Sequence, residues 1–141
     1  MSHLSAADID RIGRCFLDRS LPKREWTHAA HFAAAFWLLR HPVIPAMRDM
    51  PGLIRAYNEA TGVANTDTGG YHETITLCSI RAARSWLAAR PEEPLHVALA
   101  ELLASRYGRP DWLLDHWSRP LLFSVTARRS WVEPDLQPLP F

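Results

Sequence analysis

Charge of one sign and cysteine are both scarce in this sequence. Its 141 residues carry a formal net charge of +1 with 22% charged residues, so no basic or acidic excess favours nucleic acid as a partner. The two cysteines, Cys15 and Cys78, are far apart and form no C-x-x-C pair. We therefore predict buried thiols rather than a disulfide or a zinc clip, and we expect no nucleic-acid partner.

Long apolar runs are missing as well. No window approaches the length of a transmembrane span, and the first residues lack the basic flank and apolar stretch of a secretory signal. A chain of this length most simply forms one domain, here residues 1–141. We expect a single cytoplasmic domain without a membrane partner, and the sequence leaves its oligomeric state open.

The fingerprints of several enzyme classes are also absent. The chain contains no G-x-S-x-G nucleophile turn, no phosphate-cradling loop and no dinucleotide fingerprint. Cys78 lies within a predicted helix without a cationic neighbourhood, so we do not expect it to act as a nucleophile. The functional argument therefore depends on the histidines and on the polar residues near them.

Helical periodicity extends over almost the whole chain, and no alternating strand pattern is found. Candidate N-caps at Ser5 and Thr27 and the proline breaks predict an all-α fold, a single helical bundle of five to six helices. The predicted segments are about residues 5–21, 27–41, 45–60, 71–90, 94–107 and 111–117. Pro51 breaks the third helix or marks its first turn. Beyond them, prolines predict an irregular C-terminal tail with a turn over residues 124–129.

Two histidines at the start of the second predicted helix are the most informative feature, Trp26-Thr27-His28-Ala29-Ala30-His31. A spacing of three residues puts both imidazoles on one helix face. Apolar residues surround the whole circumference of this helix, so we expect both rings to be largely buried. A buried neutral ring loses about 1–3 kcal/mol for each donor or acceptor left without a partner. A metal ion satisfies both acceptors at once, which makes His28 and His31 the predicted metal ligands.

A second cluster, Gly69-Gly70-Tyr71-His72-Glu73-Thr74, supplies the remaining candidates. His72 is the predicted third ligand, and Thr76 and Ser79 share its helix stripe and are suited to orient its ring. Glu73 has two interpretations. It is a general base or fourth ligand beside a metal-bound water, or, with Gly70 as N-cap, it closes a capping box at the helix start.

The polar connection from Thr61 to Tyr71 predicts a structured loop that a ligand can approach closely. A helix that begins directly after Gly69-Gly70 presents free N–H groups to an anion, a phosphate or a carboxylate. The same polar side chains also fit a solvated helix face or a turn. The residues predicted to bind the substrate are Trp26, Arg55, Asn58, Asn65, Thr66, Thr68, Tyr71 and Thr76.

The chain resembles an uncharacterised family of small bacterial helical proteins. The resemblance rests on Leu21-Pro22, W-T-H-x-x-H at residues 26–31, Arg55-x-Tyr57-Asn58, G-Y-H-E-T at residues 70–74 and Pro134-Asp135-Leu136. It implies a small helical fold and no particular activity. In size and helix content the chain is also similar to DinB-like metal-dependent bundles, although those place their paired histidines late in the chain. That similarity is an analogy of architecture.

Three functions remain open at this point. The first is a metal-dependent enzyme, hydrolase-like, that acts on a small polar molecule through His28, His31 and His72, with Glu73 as its base. Zinc, manganese, nickel and ferrous iron all accept this ligand set. The second is a non-catalytic binder of a small molecule in the same pocket, and the third is a structural bundle with a buried histidine network.

Overall fold

All regular secondary structure in the computed structural model, which describes residues 3–141, is helical. Seven α-helices are found in this range, which confirms the all-α class but exceeds the predicted five or six: Ala6–Leu17 (α1), His28–Leu39 (α2), Ala46–Ala60 (α3), Glu73–Ala88 (α4), Leu95–Ala104 (α5), Arg119–Leu122 (α6) and Val125–Arg129 (α7). Short 3₁₀ turns occupy Lys23–Glu25, Arg106–Gly108 and Trp112–Asp115. Met1 and Ser2, which the domain and signal-sequence predictions include, lie outside the described residues. None of the described helices has the length and apolarity needed to cross a membrane.

Helix α2 lies at the centre of the fold and contacts α1, α3, α4 and α5. Thr27 caps it as predicted, because its hydroxyl accepts a hydrogen bond from the Ala30 N–H at 3.2 Å. Neighbours on several sides explain why this helix is apolar around its whole circumference, as predicted. Its buried side chains are Ala30, Phe32, Ala33, Ala34, Ala35, Phe36 and Leu38.

The close packing of α1 against α2 depends on a glycine. Ser5 caps α1 as predicted, with reciprocal hydrogen bonds between Ser5 and Asp8 at 2.9 and 3.1 Å. One turn further along, the Trp37 ring lies directly on Gly13, where an added Cβ would be only 2.3 Å from Cδ2 of the indole. Any side chain at residue 13 would therefore push the two helices apart.

Two sequence predictions about helix boundaries are wrong. Pro51 lies inside the continuous helix α3 rather than at a break. The other helices of the bundle hold α3 in place, although Pro51 brings no N–H to the helix. The segment predicted as a sixth helix forms only the 3₁₀ turn Trp112–Asp115.

The tail is less irregular than its prolines indicate. Ser118 and Ser124 cap α6 and α7, and each hydroxyl accepts a hydrogen bond from a backbone N–H three residues on. Residues 130–141 have no regular structure and are held by several hydrogen bonds to residues 116–118. Asp135 accepts from Ser118 twice at 2.7 Å, and the Trp117 indole donates to the Val132 carbonyl at 3.1 Å.

Substitution of Gly13 tests the contact between α1 and α2. We expect Gly13→Ala to destabilise the protein by about 1–3 kcal/mol, because the new methyl group overlaps the Trp37 ring. Gly52→Ala is the matched control, since Gly52 is also helical and an added Cβ there meets nothing within 4 Å. This control should gain about 0.5–1 kcal/mol from helix propensity alone. Urea unfolding measures both changes, and equal effects would contradict the packing described.

Candidate functional site

The ring of His28 is oriented by the backbone of a distant segment. Its Nε2 lies 2.8 Å from the carbonyl oxygen of Tyr107. A carbonyl only accepts, so Nε2 carries the proton and donates it. In the neutral ring Nδ1 of His28 is then the acceptor nitrogen, and it makes no hydrogen bond with the described residues. The half-buried His28 thus has one nitrogen available for a ligand.

His31 is oriented in the opposite sense. Its Nδ1 donates to the Thr27 carbonyl at 2.6 Å, which leaves Nε2 unprotonated. The Trp26 ring supports it from one side, with 3.9 Å between the ring centroids. The prediction that both histidines are largely buried is wrong for His31, which is exposed, because the first turn of α2 lies at the end of the core.

Protein atoms around the His31 ring nevertheless make its environment unfavourable for charge. Desolvation lowers the pKa of His31 below its ordinary value of 6.5, and the neighbouring His28 lowers it further. The Thr27 carbonyl acts in the opposite direction without reversing the shift. His31 is therefore a neutral imidazole at pH 7, with its Nε2 lone pair available.

Both histidines line a cavity of about 310 Å³, here called the histidine cavity, between α2, α3, α4 and residues 110–113. Thr76 and Ser79 of α4 add two hydroxyl groups, as the stripe on this helix predicts. The other lining side chains are apolar, and no Asp, Glu, Lys or Arg belongs to the wall. The apolar wall includes Phe32, Met50, Ile54, Ile75, Ile80 and Leu113.

Trp112 contributes a buried aromatic ring to the wall of this cavity, and its polar group has no partner. The residue is fully buried and lines the cavity. Its indole Nε1–H is the only buried side-chain nitrogen or oxygen of residues 3–141 without a hydrogen-bond partner. An unpaired buried donor costs about 1–3 kcal/mol. This N–H is enclosed by protein atoms and is not exposed to the space of the cavity.

His72 does not join the other two histidines. It is the N-cap of α4, and its Nδ1 accepts a hydrogen bond from the Ile75 N–H at 3.1 Å. Its Nε2 donates to the Leu122 carbonyl at 2.7 Å. Both ring nitrogens are therefore used, and the buried ring is not part of the histidine cavity. Across residues 3–141, no group of three or more His, Cys, Asp or Glu side chains has a geometry that could hold a metal ion.

The position of Glu73 also differs from both sequence interpretations. Because His72 rather than Gly70 caps α4, Glu73 is the first residue of the helix and closes no capping box. Its Oε1 accepts a hydrogen bond from the buried Tyr71 hydroxyl at 2.5 Å. Burial and then Glu73 raise the pKa of Tyr71 well above its usual value, so the phenol stays protonated. Glu73 is not part of the wall of the histidine cavity.

The residues predicted to bind the substrate separate into groups. Thr76 lines the histidine cavity, and Trp26 supports His31 from behind. A second cavity of about 210 Å³, here called the arginine cavity, brings together Arg55, Asn65, Thr66 and Tyr71 with Asp67, Arg128 and Arg129. Asn58 and Thr68 act as supports within the loop. Asn58 donates to the Asn65 side chain at 3.0 Å, and the Thr68 N–H donates to the Thr66 hydroxyl at 3.3 Å.

Sequence reasoning did not identify Trp112, Arg128 or Arg129 as site residues. Their segments show no motif, and only the tertiary fold brings them to the two cavities. Comparison with known proteins adds no further assignment, because no family model, curated protein or solved structure matches the chain. The family resemblance stated above remains a prediction.

His72 is expected to matter for stability through its two hydrogen bonds. His72→Ala removes the cap of α4 and leaves the Leu122 carbonyl unpaired, so we expect a loss of about 2–4 kcal/mol. His72→Asn keeps a capping oxygen and should recover about 1 kcal/mol of that loss. Denaturant unfolding at pH 7.5 measures both values. Equal losses for the two variants would contradict the capping role.

The same residue predicts a dependence on pH. Burial lowers the pKa of His72 below its ordinary value of 6.5, so the unfolded chain takes up this proton before the folded one. The contribution of His72 to stability is thus fully present above pH 6.5 and declines as the pH drops below that value. We expect His72→Asn to have a flatter stability profile than the wild type as the pH falls below about 6.5. Identical slopes would show that His72 does not titrate in this way.

Proposed function

We propose that this protein binds a small, uncharged and largely apolar molecule in the histidine cavity. The observation that carries the proposal is that two neighbouring imidazoles each hydrogen-bond to a backbone carbonyl through one ring nitrogen. Backbone carbonyls accept hydrogen bonds from Nε2–H of His28 and from Nδ1–H of His31. Each neutral ring then has one acceptor nitrogen left. A ligand with an O–H or N–H group would donate to these nitrogens.

The size of the cavity indicates the size of the ligand. Its volume of about 310 Å³ is at the lower end for small-molecule pockets. A cavity of about 150 Å³ is enough to bind benzene. The histidine cavity therefore fits a molecule of one or two rings, or an aliphatic molecule of similar volume.

The absence of charged residues from the lining favours an uncharged ligand. A charged ligand group would be desolvated there without an opposite charge to pair with, which is costly. The neutral state of His31 agrees with this requirement.

A divalent metal ion is a second candidate for the same cavity. The observation in its favour is that each imidazole donates its other N–H to a backbone carbonyl, an arrangement typical of metal-ligating histidines. Zinc, manganese, nickel or iron would then have His28 and His31 as protein ligands, with solvent or substrate completing the coordination. In this candidate the protein is a metal-dependent, hydrolase-like enzyme, and His72 is not one of the ligands.

Probe binding tests the main proposal. We expect both benzyl alcohol and toluene to bind the wild-type protein. His31→Leu should lower the affinity for benzyl alcohol by about 2–12-fold, while the affinity for toluene should change by less than about twofold. Leucine keeps a similar side-chain volume and removes the Nε2 acceptor together with the Nδ1–H donor to Thr27, whose carbonyl still accepts from the backbone N–H of residue 31. His96→Leu is the control, because His96 is outside the cavity wall.

Nuclear magnetic resonance titration measures these affinities and locates the probes. Benzoate, which carries a charge, should bind more weakly than benzyl alcohol. The proposal fails if His31→Leu weakens both uncharged probes equally, if neither binds, or if benzoate binds best.

Calorimetry with zinc and manganese decides on the metal candidate. If a metal occupies the cavity, protein purified without a metal-affinity tag should gain thermal stability with either ion, and His31→Ala should abolish that gain. His72→Asn should keep the full response, since His72 is outside the cavity. A response of the same size in all three proteins would indicate adventitious surface binding and remove this candidate.

A further inference from the structure

We propose that the arginine cavity binds a phosphate group, either free or as a phosphate monoester. The cavity shares no lining residue with the histidine cavity, so the two proposals stand or fall separately. Its wall combines residues of α3, the loop before α4 and helix α7. The helix does not begin directly after Gly69-Gly70 as predicted, because α4 begins at Glu73 and the Tyr71 N–H donates to Asn65.

The charge of the cavity is unbalanced. Three guanidinium groups, from Arg55, Arg128 and Arg129, face one carboxylate, from Asp67. Asp67 is already paired, because it accepts hydrogen bonds from Nε and Nη2 of Arg129 at 2.7 and 2.5 Å. Arg129 lowers the pKa of Asp67, which therefore stays ionised. Arg55 and Arg128 have no carboxylate partner among residues 3–141, and their two positive charges match a phosphate dianion.

Arg55 is held in place without using its donors. Its guanidinium carbon lies 4.2 Å from the centroid of the Tyr71 ring, a distance typical of cation–π contacts. Tyr71 is buried, donates its N–H to the Asn65 side chain at 3.0 Å and donates its hydroxyl to Glu73. The ring is thus a fixed platform, and the guanidinium N–H groups of Arg55 remain available for an anion.

Arg128 is oriented by the backbone of Gly70 and Tyr71, next to the ring that holds Arg55. Only its Nη1 is used, and it donates to the carbonyls of Gly70 and Tyr71 at 3.1 and 3.3 Å. Its Nη2 and Nε keep their donors, which form the fork that recognises phosphate or carboxylate oxygens. Thr66 adds a neutral donor, because its oxygen accepts from the Thr68 N–H and its own hydrogen is not committed. Two oriented cations and a hydroxyl suit a tetrahedral oxyanion better than a single carboxylate.

Calorimetric titration at constant ionic strength tests the inference. We expect inorganic phosphate to bind the wild-type protein. Arg55→Gln should lower the affinity for phosphate by at least about tenfold, because hydrogen bonds between charged groups are the strongest ones. Arg128→Gln should act in the same direction, but Arg55→Gln leaves every hydrogen bond of the loop intact and is the decisive variant. Arg84→Gln is the control, because this exposed arginine of α4 is outside both cavities.

A second probe identifies the source of the phosphate group. Tighter binding of methyl phosphate than of inorganic phosphate supports a phosphorylated molecule as ligand, and the reverse order supports free phosphate. Amide shifts confined to residues 65–71 would place either probe in the cavity. Absence of binding by both probes, or equal weakening by Arg55→Gln and Arg84→Gln, would overturn the inference, because the effect would then be one of diffuse charge.

Discussion

The burial of α2 on several sides is the constraint on which the rest of the structure depends. Its small and apolar side chains let α1, α3, α4 and α5 pack against it together. On the side of α1, the absence of a side chain at Gly13 leaves room for the Trp37 ring. A helix enclosed in this way cannot shift or rotate without losing contacts on every side. His28 and His31 occupy its first turn, so their backbone positions are fixed by the packing of the whole domain. Their side chains then need only one hydrogen bond each to be fully oriented.

The segment before α4 is the second rigid part of the molecule. Asn65 accepts hydrogen bonds from Asn58 and from the Tyr71 N–H, and His72 links the helix start to the Leu122 carbonyl. The residues of this segment thus hold one another in place. Their polar groups are used mostly for this purpose, and the unpaired charges of the arginine cavity belong to Arg55 and Arg128.

The fold class and several local features were predictable from the sequence because they depend on short-range physics. The N-caps at Ser5 and Thr27 and the apolar circumference of α2 follow from capping chemistry and helical periodicity. The seven-helix count was not predictable, since α6 and α7 are four and five residues long and interrupt a proline-rich tail. Pro51 within α3 shows that tertiary packing overrides a strong local signal.

The candidate site was predictable only in part. The spacing of His28 and His31 correctly placed them together, because three residues on a helix determine a shared face. The position of His72 depended on where α4 begins, and helix boundaries are set by tertiary hydrogen bonds such as the one to Leu122. Trp112, Arg128 and Arg129 belong to segments distant in sequence. Their contribution to the two cavities could be recognised only from the folded chain.

Nitrogen-15 spectra of the histidine rings test the central claim most directly, because they report which nitrogen of each ring carries the proton. The account predicts that at pH 7.5 His28 is protonated on Nε2 and His31 on Nδ1. It also predicts that benzyl alcohol shifts the signals of the two unprotonated nitrogens and leaves those of His72 unchanged. The opposite tautomer on either ring, or probe binding that shifts neither unprotonated nitrogen, would contradict it.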